Sequence, residues 1–420
     1  MAHVPGDATG GAPNVLVVCV DCLREDHLAG AAADTPFLDA LRERAFVATN
    51  VHATATTTSP CVASLLSGTY AGRNGVLSLS VGRLSGAVSS FAERFAAVGY
   101  HTEALVTGPL VEETGLDRGF ENYRYREPGE SLFSAWRGTA RDRLTALPEP
   151  FAAYLHLWEL HEDVHVPERF DAPAYGATPY ARALSALDRR LEDLLAAVPD
   201  DTIVLVHGDH GESITHRHSP LRLGLKSVRD ALRYYAGVDT REVVGRLNRS
   251  LTARDRVPDH YIENGHGENV FDFVTNVPVV VSGPGVEPTT VGAQARQIDV
   301  LPTLLSAAGV AYDPATLDGR SLLPAEGIDD RPAYVRACGA SLHRRENWAR
   351  AVRLPGEKYV EYPDRDWDPE LYDLASDPLE LDPTIDPDDP GRYRQHFPDA
   401  EAGDGERLDI EDRLGALGYR

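Results

Sequence analysis

Lysine is nearly absent from this chain. Lys226 and Lys358 are the only two among 420 residues, and the remaining cations are arginines. Positive charge as a whole is short: 65 Asp and Glu stand against 41 Lys and Arg, a net charge of −24. That balance argues against broad nucleic-acid binding. An acidic, lysine-poor surface stays hydrated when salt screens its self-repulsion, so the composition points to a high-salt cytoplasm, in a halophilic setting. An ordinary acidic enzyme is the plainer alternative. Cysteine is also scarce. Cys19, Cys22, Cys61 and Cys338 do not make a disulfide framework. Cys19-x-x-Cys22 has no second CxxC, and Cys19 lies inside an apolar run, so the pair reads as core packing and strand-end filler. Long hydrophobic runs are missing too. "VLVVCV" is too short for a signal core or a membrane span, and "MAHVPGDATGGAPN" carries no basic n-region. The expectation is a soluble, cytoplasmic protein with no membrane span.

What is present is alternation. "NVLVVCVD", "FAAYLHLWE", "DTIVLVHGD" and "VPVVVSGPG" read as buried strands. "TPFLDALRERA" reads as a helix capped by Thr35 with Pro36 at its first position. "SSFAERFAAVGYHTEALV" reads as helix, Gly99 stop, then strand. "YARALSALDRRLEDLLAAV" and "DVLPTLLSAAGV" read as helices. This order predicts an α/β fold, a mostly parallel central sheet covered by helices on both faces. From about residue 324 to 420 the texture changes. "RPAYVRACGA", "NWARAVRLPGEKYVEYP" and "PELYDLASDPLELDP" look like short antiparallel strands, and Asp382–Asp389 looks like loop. The expected organisation is a catalytic domain over residues 1–323 and a small C-terminal α+β subdomain over 324–420.

In parallel α/β sheets, ligands collect beyond the carboxyl ends of the strands. Asp21 ends the first strand, and Asp209 with His210 ends a later one. Two carboxylates and an imidazole supply ligands for one divalent cation. "TTTSPCVASLLSGTYAGRNGV" adds a third element. Ser59 suits an N-cap and Pro60 a first helical position, so Thr58 reads locally as the residue before a capped helix. A helix N-terminus also binds phosphate or sulfate, and a hydroxyl placed there beside a metal is a candidate nucleophile.

These segments together resemble the sulfatase-like branch of the alkaline phosphatase superfamily. "NVLVVCVDCLREDHL" resembles its opening metal motif, "TSPCVASLLSGTYAGRNGV" its nucleophile helix, and "DTIVLVHGDHGE" its second metal motif. "NVPVVVSGPGV", "QIDVLPTLLSAAGV" and "ELYDLASDP" resemble its later strand, helix and C-terminal signature. The resemblance implies one divalent metal ion (Ca, Mn, Mg or Zn) on Asp21, Asp209 and His210, with Thr58 both ligand and nucleophile. It implies basic roles for His266 and for His161, with His165 a close competitor. Arg73, beyond the nucleophile helix, is a candidate for balancing anionic charge, or else a surface residue on a turn.

The departures bear on chemistry. Family members carry a C/S-x-P-x-R motif whose first residue becomes formylglycine; here the residues are Thr58-Ser59-Pro60-Cys61-Val62. Threonine cannot become formylglycine, the arginine is missing, and Cys61 is displaced. The lysine–histidine motif is replaced by "VTGPLVEE", and a frequent second acidic ligand by Cys22. A threonine nucleophile occurs in phosphoryl-transferring relatives. The expected function is therefore a metal-dependent hydrolase of phosphate or sulfate esters with phosphorus favoured. A conventional sulfatase, or a phosphotransferase to an alcohol acceptor, is the alternative. The expected substrate is a small anionic ester, such as a derivative of a sugar or lipid head group. Residues 212–265 form an apparent insertion rich in arginine, read either as a lid steering anions or as helices with arginine on the wet face.

Overall fold

Seven successive buried residues, Asn14–Val20, make the first strand, β1. Its side chains alternate between two cores: Val15, Val17 and Cys19 enter one, Leu16, Val18 and Val20 the other. A strand apolar on both faces must lie inside a sheet covered on both sides. The computed structural model describes residues 11–28, 32–127, 129–161, 164–214, 219–252, 259–263, 265–338, 345–398 and 405–416. In it β1 is joined by β2 (Phe46–His52), β3 (His101–Val106), β4 (Asn122–Tyr125), β5 (Phe151–Leu157) and β6 (Thr202–Gly208). β7 (Asn276–Ser282), β8 (Thr289–Val291) and β9 (Ala295–Arg296) complete a nine-stranded sheet. The order is β4-β3-β5-β1-β6-β7-β2-β8, with β9 also on β2.

The sheet is largely parallel, as the alternation predicts. β7 is the exception, antiparallel to both β6 and β2. One core is closed by helices Thr58–Ser67, Phe91–Ala96 and Val300–Ala307. The other is closed by Pro36–Glu43, Trp136–Thr145 and Pro179–Leu195. Phe91–Ala96 starts with a capping box between Ser90 and Glu93, and Gly99 ends that unit at φ +90° before β3.

The C-terminal strands form a second, antiparallel sheet: β10 (Ala333–Ala337), β11 (Ala349–Leu354), β12 (Glu357–Glu361), β13 (Glu370–Asp373) and β14 (Thr384–Ile385). The last of these is a two-residue strand inside the stretch expected to be loop. A buried lysine ties this sheet to the segment that leads into β7. Lys358, fully buried, reaches the Val270 carbonyl at 2.8 Å, Asp272 at 2.6 Å and Glu380 at 2.6 Å.

The insertion folds as helices Pro220–Asp230 and Arg241–Leu251. Its arginines divide: Arg246 and Arg249 stay on the exposed face, while three others turn inward. Arg229 is buried against Glu263 at 2.6 Å, Arg241 is buried against Asp239 at 2.7 Å, and Arg233 donates to the Tyr362 hydroxyl at 2.7 Å. Leu221, Val228, Tyr235 and Val243 are instead 67%, 60%, 71% and 69% exposed. Acids and tyrosines brought by the second sheet and by residues 259–268 pull the guanidinium groups inward, a pairing invisible to local charge counting. Arg217, Arg254 and Arg256 lie outside the described residues.

Candidate active site

β5, β1 and β6 are neighbours and run parallel, so their carboxyl ends open onto one place. Asp21 follows β1, Asp209 and His210 follow β6, and His156 is the penultimate residue of β5. The nucleophile candidate comes from across this opening. Helix Thr58–Ser67 begins at Thr58 itself, with Thr57 as N-cap, so Ser59 and Pro60 fall inside the first turn. Proline is tolerated there because first-turn N–H groups have no helical acceptor. Cys61 turns away and donates to the Ala55 carbonyl at 3.1 Å.

The predicted metal-site residues meet. Thr58, Asp21, Asp209 and His210 are all fully buried. The Thr58 hydroxyl donates to Asp21 Oδ2 at 3.1 Å and lies 3.4 Å from His210 Nε2. His210 Nδ1 sits 2.9 Å from the Gly211 carbonyl, which fixes Nε2 as the lone-pair nitrogen facing the acids. Burial brings the His210 pKa down to about 4, so the ring is neutral at pH 7 and able to ligate. Asp209 Oδ1 accepts from the backbone N–H groups of Cys22 and His210 at 3.2 and 2.8 Å. Burial and then Asp209 push Asp21 well above the usual carboxylate range. Burial also raises Asp209, but His210 and His156 more than reverse it.

This is a site short of positive charge. Among the described residues, no Arg or Lys side chain pairs with Asp21 or Asp209. Asp209 Oδ2 is buried without a hydrogen-bond partner, and so are both nitrogens of His156. Asp209 Oδ2 lies 3.5 Å from His210 Nε2 and 4.0 Å from His156 Nε2, which is 3.6 Å from Asp21 Oδ2. Ligands held about 2.0–2.2 Å from one ion sit at such separations from each other. The residues therefore fit a divalent cation: Asp21, Asp209 and His210 form one compact ligand group.

Three further residues belong to the site and were not read as such. His156 is the first. Cys22 is the second, and it corrects its reading as filler. Its backbone adopts φ +63°, rare for a non-glycine residue. Its Sγ lies 2.9 Å from Asp21 Oδ1 and 3.2 Å from Glu212 Oε2. The third is Glu212, fully buried, whose Oε1 is 3.5 Å from His266 Nδ1. Burial, then Asp21 and Glu212, push the Cys22 thiol well up. Burial lowers the His266 pKa, but Glu212, Asp21 and Asp209 together leave it raised. Cys22, His210 and His266 make a second compact group of potential ligands.

His161 is buried, stacked on Trp158 at 3.8 Å between ring centroids and edge-on to His266 at 5.2 Å. His165 is exposed. Arg73 is not brought to the cluster; it pairs with Asp318 at 2.6 Å and is about one-third exposed, holding the turn after helix Thr58–Ser67. Glu159, also near His161 in sequence, is committed to Arg126 at 2.6 Å and to the Leu132 N–H at 2.8 Å. Asp163 lies outside the described residues.

Fold and site together define a member of the alkaline phosphatase superfamily, a class of metal-dependent hydrolases of sulfuric and phosphoric esters. The family model described as Sulfatase matches residues 13–310, more than half of the chain, and the chain belongs to that family. It is 25% identical over 435 residues to a choline-sulfatase of Rhizobium meliloti (strain 1021), covering 89% of this chain and 82% of that protein. The solved phosphonate monoester hydrolase of Agrobacterium radiobacter superposes with a TM-score of 0.65 at 18% identity, over 88% of this chain and 91% of the other. A solved 2-O GAG sulfatase superposes with a TM-score of 0.62 at 18% identity, over 89% and 87%. Among the described residues, no helix is long and apolar enough to cross a membrane.

Proposed function

We propose that the chain hydrolyses a small sulfate monoester, with Thr58 as its nucleophile. The observation that carries this is the buried Thr58 hydroxyl, 3.1 Å from Asp21 and 3.4 Å from His210, at a helix N-terminus in a sulfatase-family chain. Asp21, Asp209, His210 and the Thr58 oxygen would hold a divalent ion, which would supply positive charge to the anionic ester and ease ionisation of the hydroxyl. The free N–H groups of the helix's first turn face the same anion. Thr58 Oγ1, its proton released to solvent, bonds to sulfur as the bond from sulfur to the alcohol oxygen breaks, and His161 or His266 protonates that oxygen. Water then cleaves the threonine ester and restores the hydroxyl.

Phosphorus esters are the second reading, and Thr58 itself favours it, because an unmodified hydroxyl suits phosphoryl transfer. The phosphonate monoester hydrolase likeness supports the same reading. Transfer to an alcohol acceptor in place of water is its variant. The choline and GAG sulfatases among the relatives suggest a head group or sugar as the alcohol. Residues 1–323 are the proposed catalytic unit and 324–420 the subdomain. Residues 212–265 are its proposed lid, since Ser213 pairs with Gly265 beside the site and closes the insertion at its base. A cytoplasmic, high-salt location is supported by the net charge of −24 and two lysines.

Parallel assays of aryl sulfate, aryl phosphate and aryl phosphonate monoester, with divalent metal in high salt, separate the readings. Preferential sulfate turnover that Thr58→Ala abolishes supports the first. Phosphorus turnover without sulfate turnover replaces it with the second. Turnover of any ester by Thr58→Ala removes the nucleophile assignment.

A further inference from the structure

We propose that Cys22, Glu212 and His266 form a second cation site, for a thiophilic divalent ion such as zinc, bridged to the first site by Asp21. Three separate segments bring these side chains together: the turn after β1, the turn after β6, and the segment that returns from the insertion. Cys22 Sγ is 3.2 Å from Glu212 Oε2 and 3.8 Å from His266 Nδ1, and His266 Nδ1 is 3.5 Å from Glu212 Oε1. All three residues are buried or nearly so.

His210 also comes within 4.0 Å of the thiol through Nδ1, and it completes the compact group with Cys22 and His266. That nitrogen is held by the Gly211 carbonyl at 2.9 Å, so His210 serves the first site through Nε2. Asp21 supplies the missing ligand. Its Oδ2 faces Thr58 at 3.1 Å and His156 at 3.6 Å, while its Oδ1 faces Cys22 at 2.9 Å. Oδ1 also stands 3.9 Å from His210 Nε2, so Asp21 borders both clusters.

The donor set selects the ion. A thiolate, an imidazole and carboxylates make a borderline-soft, four-coordinate environment that suits zinc and does not suit calcium. Charge agrees. Asp21, Asp209, Glu212 and a Cys22 thiolate sum to four negative charges, the complement of two divalent ions. Binding releases the thiol proton to solvent, since the thiolate is the ligand. With His266 ligating, His161 is left to protonate the leaving oxygen. The site stands whichever ester is hydrolysed, because its readout is metal content and not turnover.

The test is metal stoichiometry of the full chain dialysed against zinc, read by mass spectrometry, with the absorption spectrum of the cobalt(II) form. The expected result is about two equivalents of zinc per chain and a near-ultraviolet sulfur-to-cobalt charge-transfer band. Cys22→Ser removes the band and one equivalent, Glu212→Gln and His266→Gln each lower the stoichiometry, and Cys61→Ser keeps both signals. Circular dichroism confirms that each variant is folded. A single equivalent with no charge-transfer band in the wild-type chain overturns the proposal, as does a Cys22→Ser protein that keeps both.

Discussion

Gly211→Ala tests whether the metal-binding turn depends on the close approach of a neighbouring segment. A Cβ on Gly211 would stand 2.3 Å from the Phe273 carbonyl oxygen and 3.1 Å from Val274 Cα. Carbon and oxygen come no closer than about 3.3 Å in ordinary contacts, so the two segments must separate by about 1 Å. The hydrogen bond from Gly211 N to Val274 O, 2.6 Å long, opposes that separation. Displacing Gly211 moves its own carbonyl, the one that holds His210 Nδ1. Loss of such an orienting contact lowers metal affinity by ~10- to 100-fold. A misplacement of about 1 Å at the reacting centre lowers the rate by ~100-fold. The assay is divalent-metal affinity by competition with a chromophoric chelator, followed by kcat/KM on whichever ester is turned over. Gly138→Ala is the control, since a methyl there meets nothing within 4 Å. Wild-type metal affinity in a folded Gly211→Ala protein would refute the reasoning.

Thr58→Ala should lower turnover by ~10³-fold or more while metal affinity falls far less, because Asp21, Asp209 and His210 remain; turnover and metal titration on the same sample check it. Arg73→Ala should leave kcat/KM unchanged and change stability by less than about 1 kcal/mol, since its partner Asp318 is a partly exposed surface acid; denaturant melts and kinetics check it. His207 should make the metal-free protein acid-sensitive. Burial lowers its pKa to about 4, its Nδ1 lies 2.9 Å from the Pro278 carbonyl, and Gln297 Nε2 lies 3.2 Å from its Nε2. The unfolded chain takes up that proton near pH 6.5 and the folded chain only near 4, so about 3 kcal/mol of stability is lost as pH falls across that window. Urea midpoints at pH 7 and 5 should differ less in His207→Gln than in the wild type.

The strand ends were legible because each acid closes a run too apolar to be anything but a buried strand. Asp21 and Asp209 follow β1 and β6 directly, and those strands are neighbours. Thr58 was legible as a nucleophile candidate at a helix start, but the boundary shifted by two residues because Thr57, not Ser59, is the N-cap. His156 was not legible. In "FAAYLHLW" it is one more buried residue, and only the register Cys19↔His156 shows that it stands beside the Asp21 end of β1. Cys22 looked like filler because a lone thiol carries no spacing signal, although its place after a ligand acid was the available hint. Glu212 stood inside the recognised "GDHGE" run and passed as part of the turn. The orientation of β7 was hidden because a doubly buried strand reads the same in either direction. The insertion misled in the opposite sense: Arg229, Arg233 and Arg241 face inward because acids and a tyrosine distant in sequence meet them, leaving leucine, valine and tyrosine outside beside Arg246 and Arg249.

Diffraction from crystals soaked in Mn²⁺, with anomalous differences locating the ion, tests the metal site directly. A peak within about 2.0–2.6 Å of carboxylate oxygens of Asp21 and Asp209 and of His210 Nε2, with Thr58 Oγ1 turned toward it, is the expected result. An anomalous peak elsewhere on the chain, with that buried cluster closed around protonated acids and free of metal, would contradict it.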